Sequence, residues 1–213
     1  MAKALASVTI VDYGMGNIQS IVAAITHLGY EAQLYSDPDA ILRSEIIILP
    51  GVGSFPSAMG AVKDRGIDLA LREAFLRGGS KILGICLGMQ LLAESSTEDG
   101  GSQGLGIFPG AVERFGPTIA ASLPIPHVGF NSVTSPADSV LFSGLGPQTD
   151  FYFVHSFRIS RHSSTGLLAT SIYGEGFVAA FEMGNLFGTQ FHPEKSQSNG
   201  LRLLSNFLQS EIT

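Results

Sequence analysis

A doubly wound α/β fold is what this sequence predicts: an open, mostly parallel sheet flanked by helices, with a more antiparallel second half. Three observations predict it. Short apolar runs at 8–11, 46–49 and 82–83 read as strands buried on both faces, as parallel strands usually are. Strands alternate with helical stretches through the first half, which argues for a parallel sheet. After Glu94 the texture changes to short β-like runs punctuated by glycine and proline.

The run 8–11 leads into Asp12-Tyr13-Gly14-Met15-Gly16-Asn17. Ile18, Ile21, Val22, Ile25 and Leu28 then recur at helical spacing, and Gly29 supplies a C-terminal stop. Strand, glycine-rich turn and helix form the first half of a βαβ unit. The turn is not a dinucleotide fingerprint, because Gln19 stands where the third glycine belongs. No cofactor is expected. A second strand is predicted at 32–35, followed by Asp37 as N-cap with Pro38 at the first helical position. The run 46–49 is the clearest buried strand and ends in Pro50-Gly51-Val52-Gly53-Ser54-Phe55. Open α/β sheets place ligands at such carboxyl ends. The glycines leave backbone N–H groups unobstructed, as oxyanion donors must be. A tight strand-to-helix turn would use the same residues. Residues 67–77 read as a helix closed by Gly78-Gly79.

The segment 81–92, KILGICLGMQLL, organises the rest. Cys86 is the only cysteine and lies between Gly84 and Gly88, where a strand gives way to a helix beginning near Met89. Serine nucleophile elbows have this form, G-x-S-x-G. The sharp turn strains the nucleophile's backbone, and the flanking positions must lack side chains for the turn to close. The following helix directs its N-terminus at the sulfur, which favours negative charge there. A lone cysteine in an apolar strand is also a common small core residue.

Residues 95–106 are rich in glycine and serine and read as a surface loop. Short β-like runs follow at 107–115, 127–133, 151–159, 167–173, 177–182 and 186–191. Leu201, Leu204, Phe207 and Leu208 mark a closing helix. No repeat, low-complexity tract or linker interrupts the chain, so residues 1–213 are read as a single domain.

Composition narrows the function. The chain is 45% hydrophobic and 14% charged, which permits a large core. A net charge of -6 argues against broad binding of nucleic acid or anionic membrane, since either needs a surplus of Lys and Arg. One cysteine excludes an internal disulfide and fits a reducing compartment. The first residues, MAKALASVTIVDYG, lack the apolar core of a signal peptide, and no apolar run is long enough to span a bilayer. A cytoplasmic protein is expected.

The run 186–191 ends in His192-Pro193-Glu194. A histidine at a strand end, with a carboxylate two residues on, suits a general base and its orienting partner. Pro193 disfavours helical backbone at His192 and stiffens the turn. Four other histidines compete. His27 is expected near a helix end facing solvent, and His162 falls in a polar loop stretch. His127 and His155 adjoin apolar residues and are read as structural or substrate-facing. The scattered His and Asp residues and the single cysteine show no ligand spacing, so no metal is expected.

GICLGMQLL with Cys86, and TQFHPEKS with His192 and Glu194, resemble the class I glutamine amidotransferases with their Cys-His-Glu triad. VDYGMGNI, ILPGVGSF, PHVGFN, FYFVHSF and GTQFHPEKSQ extend the resemblance, in order, over nearly the whole chain. They narrow it to separate glutaminase subunits that pair with a cyclase subunit. The resemblance implies that Cys86 attacks glutamine, that His192 is its base and acid, and that Glu194 orients the imidazole. It implies an oxyanion hole from the N–H of Leu87 and a flipped peptide among Pro50, Gly51, Val52 and Gly53. Gln90 and the backbone around His155 and Ser156 would hold the α-groups of glutamine. Asn17, Phe130, Tyr152 and Lys195 match positions at the cyclase interface, near the ammonia path. The family usually has Trp where this chain has Phe130, so the ring is kept and the indole N–H donor is lost. Three alternatives stay open: a paralogous subunit serving another cyclase-like partner, for example in surface-glycan amidation; the glutaminase of pyridoxal phosphate synthesis, which DYGMGN and HPEKSQ fit less well; and a catalytically silent binding protein on the same fold.

Overall fold

The computed structural model describes residues 6–160 and 166–212. The first half alternates strand and helix as its sequence periods require: β1 (Ser7–Val11), α1 (Ile18–His27), β2 (Glu31–Tyr35), α2 (Pro38–Leu42), β3 (Ile46–Leu49), α3 (Phe55–Asp64), α4 (Ile67–Arg77), β4 (Lys81–Ile85) and α5 (Leu87–Leu91). Asp37 caps α2 through both carboxylate oxygens, to the N–H groups of Asp39 and Ala40, with Pro38 at the first helical position. The helix α3 follows the 50–54 turn and buries Phe55, Ala58, Met59 and Val62, an apolar stripe at helical spacing.

The stretch after Glu94 is less plain than a surface loop. It holds two-residue strands β5 (Ser95–Ser96) and β6 (Ser102–Gln103), with a 3₁₀ turn at Glu98–Gly100 between them. There follow β7 (Ala111–Arg114), α6 (Pro117–Ala120), β8 (His127–Thr134), β9 (Gln148–His155), β10 (Phe157–Ile159), β11 (Leu167–Tyr173), β12 (Glu175–Met183), β13 (Leu186–Thr189) and α7 (Gln197–Gln209). The run expected as one strand over 151–159 breaks at Ser156. Its two halves enter different sheets, because β9 pairs with β8 while β10 pairs with β7.

Among the described residues the main sheet has nine strands in the order β2-β1-β3-β4-β13-β12-β11-β8-β9. The block β2-β1-β3-β4-β13 is parallel, and from β13 onward each neighbour is antiparallel. A smaller sheet, β10-β7-β5-β6, lies beside it. Side chains alternate between the two faces of the parallel block. Val8, Ile10, Ile48 and Leu83 meet α1 and α7, while Ile47, Leu49 and Ile82 meet α3 and α4. Apolar surface on both faces is what makes these strands continuous hydrophobic runs.

The crossing that matters is β13. It comes late in the chain, yet it lies parallel to β4, with Thr189 opposite Ile85. The Cys86 N–H donates to the Thr189 carbonyl at 2.7 Å. Residue 86 and the segment 190–192 therefore leave the same end of adjacent strands.

Candidate active site

The sequence G-I-C-L-G folds as a sharp elbow because its neighbours allow nothing else. Cys86 has φ 55 and ψ -112, strained backbone for a non-glycine residue. A Cβ on Gly88 would lie 1.8 Å from the Leu49 carbonyl oxygen, and one on Gly84 would lie 2.7 Å from the Met89 backbone. The elbow closes only with glycine at both places. The helix that follows, α5, has five residues, so the first backbone N–H groups matter here more than any macrodipole.

Three residues beyond β13, the His-Pro-Glu turn is held from several sides. The His192 N–H donates to the Tyr152 carbonyl at 2.9 Å. The Ser196 hydroxyl donates to the His192 carbonyl at 2.6 Å and accepts from the Tyr152 N–H at 2.9 Å. Gly200 on α7 presses so close that a Cβ there would lie 1.8 Å from the Pro193 carbonyl oxygen. His192 keeps the extended backbone that a following proline favours.

His192 Nδ1 meets Glu194 Oε1 at 2.8 Å, and both side chains are buried. His192 Nε2 has no conventional hydrogen-bond partner among the described residues. Burial works against a charged ring. Cys86 and then Glu194 overcome it, and the imidazole pKa is raised to about 10. Cys86 Sγ lies 3.8 Å from the Val154 carbonyl oxygen and 3.7 Å from Gln190 Nε2.

Cys86 and His192 open onto one pocket of about 320 Å³, near the lower end of ligand sites, which span roughly 300–1,000 Å³. Cys86, Leu87, Gln90, His155, Ser156 and His192 line it, with Val52 and Gly53 at one edge. Gly51 does not line it. It packs underneath, where a Cβ would lie 2.6 Å from the Tyr13 hydroxyl and 2.8 Å from the Gly88 nitrogen. The Tyr13 hydroxyl donates to the Pro50 carbonyl at 2.8 Å. Burial, and secondarily Cys86, raises the Tyr13 pKa, so the hydroxyl keeps its proton and acts as a donor.

Gln90 donates both amide hydrogens, one to the Phe157 carbonyl and one to Gln190 Oε1, each at 2.9 Å. Four lining residues were not singled out by the sequence: Glu98, Pro126, Val154 and Phe157. Pro126 follows a cis peptide bond. Glu98 lines the pocket and accepts the Phe55 N–H at 2.8 Å. The only signal for Glu98 was a carboxylate in a Gly/Ser-rich stretch, and nothing local sets it apart from a solvated one.

The remaining residues lie outside the pocket. Phe130 is 51% exposed on β8 and meets Tyr152 edge-on, with centroids 5.6 Å apart. Lys195 Nζ lies 5.9 Å from the Tyr152 ring centroid. Asn17 stands at the start of α1 and donates to the Ser20 hydroxyl. His27 is exposed near the end of α1, and His162 falls outside the described residues.

Fold and pocket together define a class: an α/β protein with a cysteine elbow and a histidine–glutamate pair at the carboxyl ends of adjacent parallel strands. The model of the class-I glutamine amidotransferases matches residues 9–210, and the chain belongs to that family. It is 44% identical to imidazole glycerol phosphate synthase subunit HisH of Moorella thermoacetica, over 94% of this chain and 93% of that one. It is 41% identical to the HisH subunit of Rhodopirellula baltica, over 96% and 98%. Among solved structures, a glutamine amidotransferase superposes with a TM-score of 0.73 at 21% identity, covering 95% of this chain and 97% of that one, which shows the shared fold.

Proposed function

We propose that this chain is the glutaminase subunit of imidazole glycerol phosphate synthase. It hydrolyses glutamine to glutamate and passes the ammonia to a cyclase subunit, HisF. The cyclase then makes imidazole glycerol phosphate and AICAR from PRFAR in histidine biosynthesis. The observation that carries this reading is the small pocket shared by Cys86 and His192, with Glu194 bonded to the imidazole, in a chain whose curated relatives are HisH subunits.

In this reading the Cys86 proton already rests on His192, whose raised pKa favours a thiolate–imidazolium pair, and the thiolate attacks the side-chain carboxamide carbon. The oxyanion is held by the Leu87 N–H and by an N–H of the Pro50–Gly53 loop. The imidazolium gives its proton to the leaving ammonia, and a γ-glutamyl thioester remains. His192 then activates water, and glutamate leaves. Glu194 keeps the imidazole oriented throughout. Gln90 has spent its hydrogens, so it offers glutamine its carbonyl oxygen. Glu98 supports the same reading, as a lining carboxylate suited to the α-ammonium. Phe130, Tyr152, Lys195 and Asn17 belong to the cyclase-facing side. No cofactor or metal takes part, and the cytoplasm is the compartment proposed.

Hydrolysis without an acceptor wastes glutamine, so the isolated subunit is expected to be slow. A loop amide turned away from the oxyanion costs roughly a hundredfold or more in rate. Glutamate release is therefore measured with and without cyclase and its ligand. The expected result is a rise of about that size on adding both. Equal rates refute the gating, and no glutamate in either condition refutes the glutaminase reading. Phe130 favours a second reading, a paralogue serving a different cyclase-like partner. Failure to complement a histidine auxotroph while glutaminase activity persists selects it.

A further inference from the structure

Two buried histidines take no side-chain part in the chemistry above. His127 and His155 sit opposite one another in the β8–β9 register, 3% and 6% exposed. The ring of His127 stacks on Tyr173, with centroids 4.0 Å apart, and on Phe153 at 4.9 Å. Burial lowers both pKa values, to about 4 for His127 and about 3 for His155, so both rings are neutral.

A neutral imidazole has one donor and one acceptor, and here each role is forced. The Phe157 carbonyl can only accept, so His155 Nδ1 carries the hydrogen that bridges them at 2.8 Å. His155 Nε2 is then an acceptor, and His127 Nδ1 must donate to it at 3.0 Å. His127 Nε2 is left as an acceptor, facing Asn131 Nδ2 at 3.3 Å. The Asn131 amide cannot be flipped, because its oxygen accepts the Ser132 N–H and its nitrogen donates to the Ile172 carbonyl. The far end is equally fixed. The Phe157 carbonyl takes a second hydrogen from Gln90, whose other hydrogen goes to Gln190. One ordered chain of donors thus runs from Asn131, next to exposed Phe130, to the pocket wall.

We infer that His127 is a positioning residue for the ligand pocket: by donating to His155 it fixes that ring's tautomer, and so holds the Phe157 carbonyl on which Gln90 is anchored. The chain clamps the break between β9 and β10 at Ser156, the segment whose residues 154–157 line the pocket. The inference rests on the proposed glutamine site. Two substitutions separate the ends of the ring. The amide nitrogen of His127→Asn falls near the place of Nδ1 and keeps the donor to His155. The amide of His127→Gln falls near Nε2 and serves only Asn131.

Both variants are assayed in complex with the cyclase. His127→Gln is expected to raise the KM for glutamine about tenfold with kcat within about threefold of wild type, the effect of one lost buried hydrogen bond. His127→Asn is expected to stay within about threefold in both constants. Equal behaviour of the two variants, near wild type or equally impaired, overturns the inference, since loss of ring stacking would affect both alike. Histidine ¹⁵N spectra of the unmutated complex test it without substitution, and decide it if either variant does not fold. Both rings are expected as neutral Nδ1–H tautomers across roughly pH 6 to 8. An Nε2–H tautomer or titration of either ring in that range overturns the inference. A wild-type complex that releases no glutamate sinks the glutaminase reading instead, and the spectra still judge the histidine pair.

Discussion

Tyr13 shows how one hydroxyl can govern a reacting centre it does not touch. Its ring is 1% exposed, and its O–H donates to the Pro50 carbonyl beneath the loop whose next residues, Val52 and Gly53, edge the pocket. Gly51 lies between the Tyr13 hydroxyl and the Gly88 backbone with no space for a Cβ, so the peptide before it cannot drift. Tyr13→Phe keeps the packing and removes the anchor, leaving a buried carbonyl without its donor. A hydrogen bond of this kind contributes on the order of 1 kcal/mol, so turnover of glutamine in the complex is expected to fall about five- to tenfold. Alkylation of Cys86 by iodoacetamide needs no oxyanion donor and is expected to keep its rate. Loss of both would mean that the triad itself has moved. The motif around Tyr13 could be read as a glycine-rich turn from sequence, but its bond to Pro50, 37 residues away, could not.

Whole elements were legible where the local pattern agreed with the tertiary demand. β3 and β4 are buried on both faces and read as unbroken apolar runs, and α1 and α7 show their stripe at helical spacing. The break at Ser156 was not, because it is decided by what the two halves pair with. The least local case is β13, whose pairing beside β4 brings His192 toward Cys86 and leaves no mark in either segment. α7 supports that arrangement from behind through Gly200, and its C-terminal end is tied down by Lys81 at the start of β4. Lys81 Nζ donates to the carbonyls of Leu208 at 2.9 Å and Ser210 at 2.6 Å, which closes the end of the helix with positive charge. Lys81→Met keeps the stem and strands those carbonyls. A loss of about 2 kcal/mol is expected, seen as a fall in Tm of roughly 4–8 °C, with the KM for glutamine unchanged at low temperature. A change of KM without a change of Tm would show that Lys81 acts on the pocket and not on the helix.

At the scale of the molecule, three buried histidines make stability respond to pH in opposite directions. Unfolded, each titrates near 6.5. The fold raises His192 to about 10, but the proton it holds beside the thiolate is one that the unfolded chain keeps on Cys86 up to the ordinary thiol pKa of about 8.5, so only between about 8.5 and 10 does the native state hold an extra proton and stability fall as pH rises. The fold lowers His127 to about 4 and His155 to about 3. Below 6.5 the unfolded chain therefore binds protons that the native rings refuse, and stability falls as pH drops. The two limbs have separate origins. The alkaline limb comes from the pairing of His192 with Cys86 and Glu194, and the acid limb from two rings locked in one donor chain. Urea midpoints measured across roughly pH 5 to 10 should therefore be highest between about pH 6.5 and 8.5 and fall on either side. Cys86→Ser, which removes the ionisable partner, should flatten the alkaline limb and leave the acid one. If the serine variant keeps the full alkaline slope, then Cys86 does not hold the proton on His192, and the coupling on which thiol activation depends is absent from the resting protein.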